Sequence, residues 1–193
     1  LNEGDRFNVI TYANAVSPMF ESMTDYDETS KDDAVSQIEI IEGSGSTNIH
    51  AALKEAMSQL EAARGDDTDR PAYIIFLTDG LATSGKTAQA DIVSDTGKAN
   101  TTDARLFTFG VGYDVNVQLL DKLSEENAGA SDYVKPAEDI EDKVSTLYKR
   151  IKNPVLTDIK VEFKGVRLLQ QHPPTARDLF ADDQLVLTGR FVL

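Results

Sequence analysis

The sequence predicts an α/β fold with a doubly wound, mostly parallel sheet, followed by a short all-β segment at the C-terminus. Strand-like and helix-like runs alternate as far as about residue 153, which is typical of βαβ units. The run Tyr73–Thr78 is apolar on both faces, as expected of a buried parallel strand. Beyond residue 153 apolar and polar residues alternate. We therefore predict one α/β domain over residues 1–152 and a β-strand segment over 153–193.

Five strands are expected in the first part of the chain. The second of them is an edge strand, since Pro18 lacks the N–H that a central strand requires. The predicted strands are "FNVITYA" (Phe7–Ala13), "AVSPMF", "AYIIFLT", "RLFTFGVG" and "SDYVKPA".

Helices are expected between and after these strands. Ser30 is a suitable N-cap for a short helix, and Gly65 lies where a longer helix would end. A weaker helix is interrupted near Gly97, and another stops near Gly129. The clearest amphipathic helix has Ile140, Val144, Leu147 and Ile151 at helical spacing.

The C-terminal part reads as three strands. "TDIKVEFKGV" alternates apolar with charged residues, and "RLLQQHPP" and "QLVLTGRFVL" follow it, divided by a loop. Three strands cannot cover their own apolar faces. We therefore expect them to belong to a β-sandwich completed by other sequence, or to pack on the α/β domain.

The composition of the chain indicates a globular domain and excludes several kinds of partner and site. The chain has 193 residues, 40% of them hydrophobic, which is enough for a sizeable core. Its formal net charge of -14 disfavours nucleic acid and anionic membranes as partners. The absence of cysteine excludes disulfides, thiolate metal sites and a cysteine nucleophile. The chain begins at Leu1, inside an apparent helix end, and we expect it to be a piece of a longer protein.

The segment Gly80–Thr87 satisfies the phosphate-loop pattern G-x-x-x-x-G-K-[ST], with Lys86 and Thr87 at its end. It follows a strand and precedes a helix, as a phosphate loop does. Three observations disfavour nucleotide binding. The region between Gly80 and Gly85 has an ordinary explanation as a loop. Asp79 places a negative charge at the mouth of the loop, and no other strand ends in an Asp that would hold Mg²⁺.

Asp79 also suggests a metal site, because ligands of open α/β sheets bind beyond the carboxyl ends of the strands. A second loop, "EGSGSTNIHAAL", supplies the hydroxyls of Ser44, Ser46 and Thr47 before a helix. Carboxylate and hydroxyl oxygens suit Mg²⁺. The alternatives are ordinary: Asp79 caps the next turn, and Thr47 is the N-cap of the helix.

These motifs together resemble the von Willebrand factor type A domain. The resemblance rests on "TDG" at the end of an apolar strand, "GSGSTNIHAALKEA" before it and "FGVGYDVNVQLLDKLSEENAG" after it. "LYKRIKNPVLTDIKVEF" and "LFADDQLVLTGRF" resemble the branch of inter-alpha-trypsin inhibitor heavy chains. The likeness implies a noncatalytic module that binds protein or extracellular matrix outside the cytoplasm.

The resemblance also implies a metal-ion-dependent adhesion site for Mg²⁺ or Ca²⁺, which a partner's carboxylate often completes. Thr47 matches the threonine of the family's second metal loop, and Asp79 matches the aspartate of its third. The first loop carries Asp-x-Ser-x-Ser, a pattern that this sequence does not contain. The implied site is therefore incomplete, and we expect metal binding by this chain to be weak or absent.

In the family, the strand that carries the first metal loop lies between those that match Phe7–Ala13 and Tyr73–Thr78. Two unpaired edges should face each other across this gap. We expect a strand exchanged with a second copy, giving a homodimer, or a retained N-terminal fragment to close it. The strands after residue 153 would supply an inserted strand, within one chain or between two. Direct pairing of the two strands is the remaining alternative.

Overall fold

The structure is a computed structural model, and it divides into two compact units over residues 1–136 and 137–193. Helix Ile140–Ile151 is grouped with the C-terminal unit. The boundary predicted between residues 152 and 153 stays a prediction. The described residues are 1–43, 45–65, 70–151, 154–156, 159–172, 179–180 and 184–192.

A three-stranded parallel sheet forms the centre of the first unit. Strand β6 (Arg105–Val111) lies between β5 (Tyr73–Thr78) and β7 (Ser131–Val134). Helices α3 (Gln89–Ala99) and α4 (Val117–Glu126) connect the strands as βαβ crossovers. The predicted α/β fold with a mostly parallel sheet is confirmed.

The first predicted strand, Phe7–Ala13, is two short strands. Asn8 divides them, because its side chain accepts from the Phe20 N–H (3.1 Å) and donates to the Phe20 carbonyl (2.8 Å). The strands of this region are β1 (Arg6–Phe7), β2 (Ile10–Tyr12), β3 (Val16–Pro18) and β4 (Thr24–Asp25). The predicted edge strand containing Pro18 is β3, which pairs with β2 in a hairpin, and β1 pairs with β4.

Two helices differ from the prediction, one at its N-cap and one at a predicted interruption. Helix α1 (Glu28–Glu39) is capped by Asp27, whose carboxylate accepts from the Ser30 N–H while the Ser30 hydroxyl accepts from the Asp27 N–H. Ser30 is therefore the third residue of the helix in a capping box, not its cap. Helix α3 continues through Gly97, since a single glycine costs only about 1 kcal/mol and the buried side chains of the helix offset that cost.

Helix α2 (Ile49–Arg64) supplies one wall of the core and ends at Gly65, as predicted. Its buried side chains pack with those of α3, α4 and one face of the sheet. This packing fixes the N-terminus of α2 relative to β5. The fully buried side chains of this core are those of Ile49, Leu53, Met57, Ile92, Leu106, Leu119, Leu120 and Leu123.

Over its described residues, the C-terminal unit contains one helix and then two antiparallel strand pairs, so strands follow the helix as predicted. The alternating run predicted as a strand forms no strand over its described residues 159–166, where Val161 and Phe163 are exposed. The elements are α5 (Ile140–Ile151), β8 (Pro154–Leu156), β9 (Arg167–His172), β10 (Leu179–Phe180) and β11 (Thr188–Val192). Strand β10 pairs with β8, and β11 pairs with β9.

Candidate functional site

Asp79 follows the last residue of β5, and its side chain is exposed. The turn after the strand is held by Thr78, whose hydroxyl donates to the Gly80 carbonyl (3.2 Å) and accepts from the Gly80 N–H (3.4 Å). Thr78 therefore caps the turn, which is the role that Asp79 would have if it were not a metal ligand. The carboxylate of Asp79 is left facing solvent at the carboxyl end of the sheet.

Thr47 is not the N-cap of α2. That position belongs to Asn48, whose side-chain oxygen accepts from the Ala51 N–H at 3.1 Å. The hydroxyl of Thr47 is consequently not needed to cap the helix. Ser44, which the sequence offered as another hydroxyl donor, lies outside the described residues.

Reciprocal hydrogen bonds join the Thr47 loop to the loop that begins at Asp79. The Thr47 N–H donates to the Thr83 hydroxyl (2.8 Å), and the Thr83 N–H donates to the Thr47 carbonyl (3.0 Å). The Thr47 hydroxyl lies 3.7 Å from where a Cβ on Gly80 would be. Thr47 therefore sits beside the residue that follows Asp79, and the two predicted site residues are at neighbouring positions.

A third loop, between β2 and β3, joins the other two. The Asn48 N–H donates to the Ala13 carbonyl at 2.8 Å, and the Ser84 hydroxyl donates to the Asn14 side-chain oxygen at 2.7 Å. Sequence reasoning missed Asn14, Thr83 and Ser84. Their polar side chains next to strand ends were the available signal, but nothing in the sequence shows that these distant loops meet.

Lys86, the lysine of the phosphate-loop pattern, is paired with a carboxylate. Its Nζ lies 2.6 Å from Asp95 Oδ2, and His50 Nε2 lies 3.0 Å from the same oxygen. The hydrogen bonds from Lys86 and His50 lower the pKa of Asp95 to about 2. The ion pair therefore joins the loop that contains Lys86 to α3, since Asp95 lies within that helix.

Tyr12 stands beside the same corner of the sheet. Its hydroxyl donates to the Leu77 carbonyl at 2.7 Å, and its ring stacks on Phe76 with centroids 5.4 Å apart. Burial is the main cause that raises the pKa of Tyr12 to about 12. The negative charge of Asp79 also raises this pKa, and a hydrogen bond with Thr78 lowers it. Tyr12 is thus close to the candidate metal loop and stays protonated at neutral pH.

Thr47 and Asp79 supply one hydroxyl and one carboxylate oxygen to this corner, both of the hard type that Mg²⁺ and Ca²⁺ prefer. Within the described parts of the chain, no group of three or more His, Asp or Glu side chains is arranged to hold a metal ion. The donor set therefore fits a divalent cation in part, and water or a ligand must supply the other positions.

A sequence model of one protein family, the von Willebrand factor type A domain, matches residues 1–133. The chain belongs to the von Willebrand factor type A family. The matched residues include the three loops described above.

Curated relatives of this type A domain are inter-alpha-trypsin inhibitor heavy chains. It is 25% identical to heavy chain H2 of Mus musculus over 99% of its length, and 26% identical to heavy chain H4 of Bos taurus over 98%. It covers 20% of the first and 21% of the second. The chain therefore spans about a fifth of the length of these relatives.

Solved structures show the same fold. A von Willebrand factor type A protein from Catenulispora acidiphila superposes with a TM-score of 0.75 at 17% identity, over 92% of this chain and 42% of that one. Proximal thread matrix protein 1 from the mussel byssus, with a zinc-occupied MIDAS motif, gives 0.55 at 19% identity, over 76% and 35%.

Proposed function

We propose that this type A domain is a noncatalytic module that binds a protein or matrix ligand with the help of Mg²⁺ or Ca²⁺. The observation that carries the proposal is the pair of reciprocal hydrogen bonds between Thr47 and Thr83. These bonds place the Thr47 hydroxyl beside the residue that follows Asp79. The supporting likeness is to inter-alpha-trypsin inhibitor heavy chains and to a byssus matrix protein.

In this proposal, Thr47 and Asp79 are two of the oxygen donors of a metal-ion-dependent adhesion site. A bound cation supplies positive charge for a carboxylate of the ligand. Two protein donors are few for Mg²⁺, which favours six oxygens and gives up water reluctantly. We propose that the site of this chain is incomplete and binds cations weakly.

Thermal melts with millimolar Mg²⁺ test this incomplete site. A ligand at 100 times its Kd stabilises the native state by about 2.7 kcal/mol, which raises the Tm of a domain of this size by about 5–10 °C. We expect a shift of less than about 1 °C, equal to that of Asp79→Ala. A larger shift that is lost in Asp79→Ala would mean that the site is complete.

Two other functions compete with this one. A phosphate-loop nucleotide-binding protein would use Gly80–Thr87, but the ion pair of Lys86 with Asp95 holds the lysine on α3. A scaffold with a vestigial metal site would bind its partner without any cation. Calorimetry with ATP addresses the first alternative, and ligand binding in EDTA addresses the second.

The partner and the compartment are proposals from the resemblance. We place the protein outside the cytoplasm, as a secreted or cell-surface module. Over the described residues, no helix is both long and apolar enough to cross a bilayer. A strand-exchanged homodimer and a retained N-terminal fragment are two ways in which the protein's own sequence would cover the side of β5 that has no strand partner among the described residues. Native mass spectrometry separates these two ways.

A further inference from the structure

Asp95 joins three elements of the first unit through one oxygen atom. His50 is the second residue of α2, and its Nε2 lies 3.0 Å from Asp95 Oδ2. Lys86 is in the loop after β5, and its Nζ lies 2.6 Å from the same oxygen. Asp95 itself lies within α3. The two nitrogens share one acceptor, so a change in the charge of either nitrogen acts directly on the other.

The two partners of Asp95 are held with different firmness. The side chain of His50 is 14% exposed, and that of Lys86 is 53% exposed. The fully buried neighbours Ile49 and Leu53 fix the helical backbone that carries the imidazole. Lys86 has a flexible four-carbon side chain on a loop, and its ammonium group is readily hydrated. When the two contacts compete, Lys86 is therefore the partner that leaves.

Between pH 8 and pH 5 the charges of Asp95 and Lys86 stay constant. The hydrogen bonds from Lys86 and His50 lower the pKa of Asp95 to about 2. The hydrogen bond with Asp95 raises the pKa of Lys86 above its usual value. Imidazole is the side-chain group that ordinarily gains its proton in this pH range. His50 is therefore the member of the cluster whose charge follows the pH.

A proton on His50 changes the competition for Asp95. A carboxylate only accepts hydrogen bonds, so neutral His50 donates from Nε2. A protonated imidazole donates a charge-assisted hydrogen bond, which is shorter and roughly twice as strong. It also places a second positive charge beside the ammonium group of Lys86, and like charges this close disfavour each other. Both effects strengthen the contact of His50 at the expense of Lys86.

We propose that His50 is an acid sensor, whose protonation takes Asp95 from Lys86 and releases residues 85–88 from α3. This segment lies between Ser84 and the first residue of α3. The ion pair of Lys86 is its link to the helix that follows, and acidification breaks this link.

The switch needs neither a cation nor a ligand, so it goes beyond the proposed function. The hydrogen bonds between Thr47 and Thr83 involve no titratable group and persist in acid. The loop thus remains attached to α2 and loses its attachment to α3. One consequence rests on the proposed function: a ligand held at Thr47 and Asp79 binds less tightly in a mildly acidic medium.

Two further charged groups lie near this cluster. Asp91 of α3 favours the charged form of Lys86. Lys54 follows His50 by one turn of α2 and is exposed. Carboxylates and ammonium groups ordinarily keep their charges between pH 5 and pH 8. These two groups therefore set the pH at which the switch operates, and not its direction.

The test is an NMR titration of the chain in EDTA from pH 8 to pH 5. The ring signals of His50 report its protonation, and the Nζ shift of Lys86, detected through its Hε protons, reports the ion pair. We expect the Nζ shift to change with the same midpoint as His50. The heteronuclear NOEs of residues 85–88 should fall with it. An Nζ shift that stays constant while His50 titrates would overturn the proposal.

Two variants provide the comparison. His50→Gln keeps a side-chain N–H donor but gains no proton, and it should hold Lys86 on Asp95 throughout the titration. Asp95→Asn removes the ion pair and should give at pH 8 the Lys86 shift that the unmodified chain reaches at pH 5. His172→Gln, on β9, is the matched control and should leave the transition unchanged. A transition that persists in His50→Gln would also overturn the sensor.

The comparison of midpoints uses the unmodified chain, so it decides the proposal even where a variant fails to fold. Because the assay contains EDTA and no ligand, failure of the switch is distinct from failure of the metal site.

Discussion

Thr47 and Thr83 hold each other through two hydrogen bonds of 2.8 and 3.0 Å, although 35 residues separate them along the chain. In each bond a backbone N–H of one residue meets an oxygen of the other. This clamp fixes the loop after β5 against the N-terminus of α2. The relative position of Thr47 and Asp79 therefore depends on Thr83, which is not itself a proposed metal ligand.

The first prediction tests this clamp. Thr83→Val removes the oxygen that accepts from the Thr47 N–H and keeps the shape of the side chain. We expect the free energy of unfolding to fall by about 0.5–1.5 kcal/mol, since a net hydrogen bond is worth that much. Urea denaturation measures the loss. Thr83→Ser keeps the hydroxyl and should lose less than half as much; equal losses would contradict a role for the hydrogen bond.

The second prediction concerns Gly85, whose φ is +67°. A Cβ at this position would collide with the Asn48 side-chain oxygen. Gly85→Ala should therefore destabilise the fold by about 1–3 kcal/mol through backbone strain and this contact.

Asn48→Ala separates the two causes. Alone it should cost about 0.5–2 kcal/mol, because the cap of α2 is lost. In the double variant the steric part of the Gly85→Ala penalty should vanish, leaving the part due to φ. A double-mutant cycle measures the coupling. Strictly additive losses would show that Gly85 and Asn48 are not in contact.

Much of this arrangement was predictable, and part of it was not. The run Tyr73–Thr78 identified β5 because it is apolar on both faces, and the "TDG" after it placed Asp79 at the end of that strand. The end of α2 at Gly65 was also predicted. These features are local, so a short window of sequence contains the physical reason for each of them.

The errors came from competition between local signals and distant partners. Ser30 has the side chain of an N-cap, but the carboxylate of Asp27 takes that position and Ser30 completes the capping box. The run after residue 158 alternates as a strand does, but no partner strand pairs with its described residues. Alternating apolar and polar residues would give a strand one apolar face, but a strand is stabilised by its pairing with a neighbouring strand.

The third prediction concerns acid stability. Asp95 has a pKa near 2, below its usual value near 3.9, so it binds a proton less readily in the folded state. Its stabilising effect is complete above about pH 4 and is lost as the pH falls toward 2.

Asp95→Asn provides the comparison. It should be less stable than the unmodified chain at pH 7 and should lose stability less steeply between pH 4 and pH 2. Urea denaturation across this range measures both effects, with Asp91→Asn as the control. Parallel acid curves would contradict the ion pair with Lys86 and the bond with His50.

The fourth prediction concerns nucleotide. ATP and GTP should not bind, because the ammonium group of Lys86 is paired with the carboxylate of Asp95 on α3. Isothermal calorimetry should show no saturable heat. Lys86→Ala should leave partner binding unchanged, because the side chain is half exposed and its ion pair is with Asp95 on α3. Saturable ATP binding that Lys86→Ala abolishes would restore the phosphate-loop interpretation.

The most direct test of the proposed site is paramagnetic mapping with Mn²⁺, which replaces Mg²⁺ at oxygen sites. Millimolar Mn²⁺ should selectively broaden the amide signals of Thr47, Asp79, Gly80 and Ser84, and Asp79→Ala should abolish this pattern. Asp103→Ala, at an exposed acidic position elsewhere, should leave it intact. Broadening spread evenly over the acidic surface, or retained in Asp79→Ala, would contradict a metal site at Thr47 and Asp79.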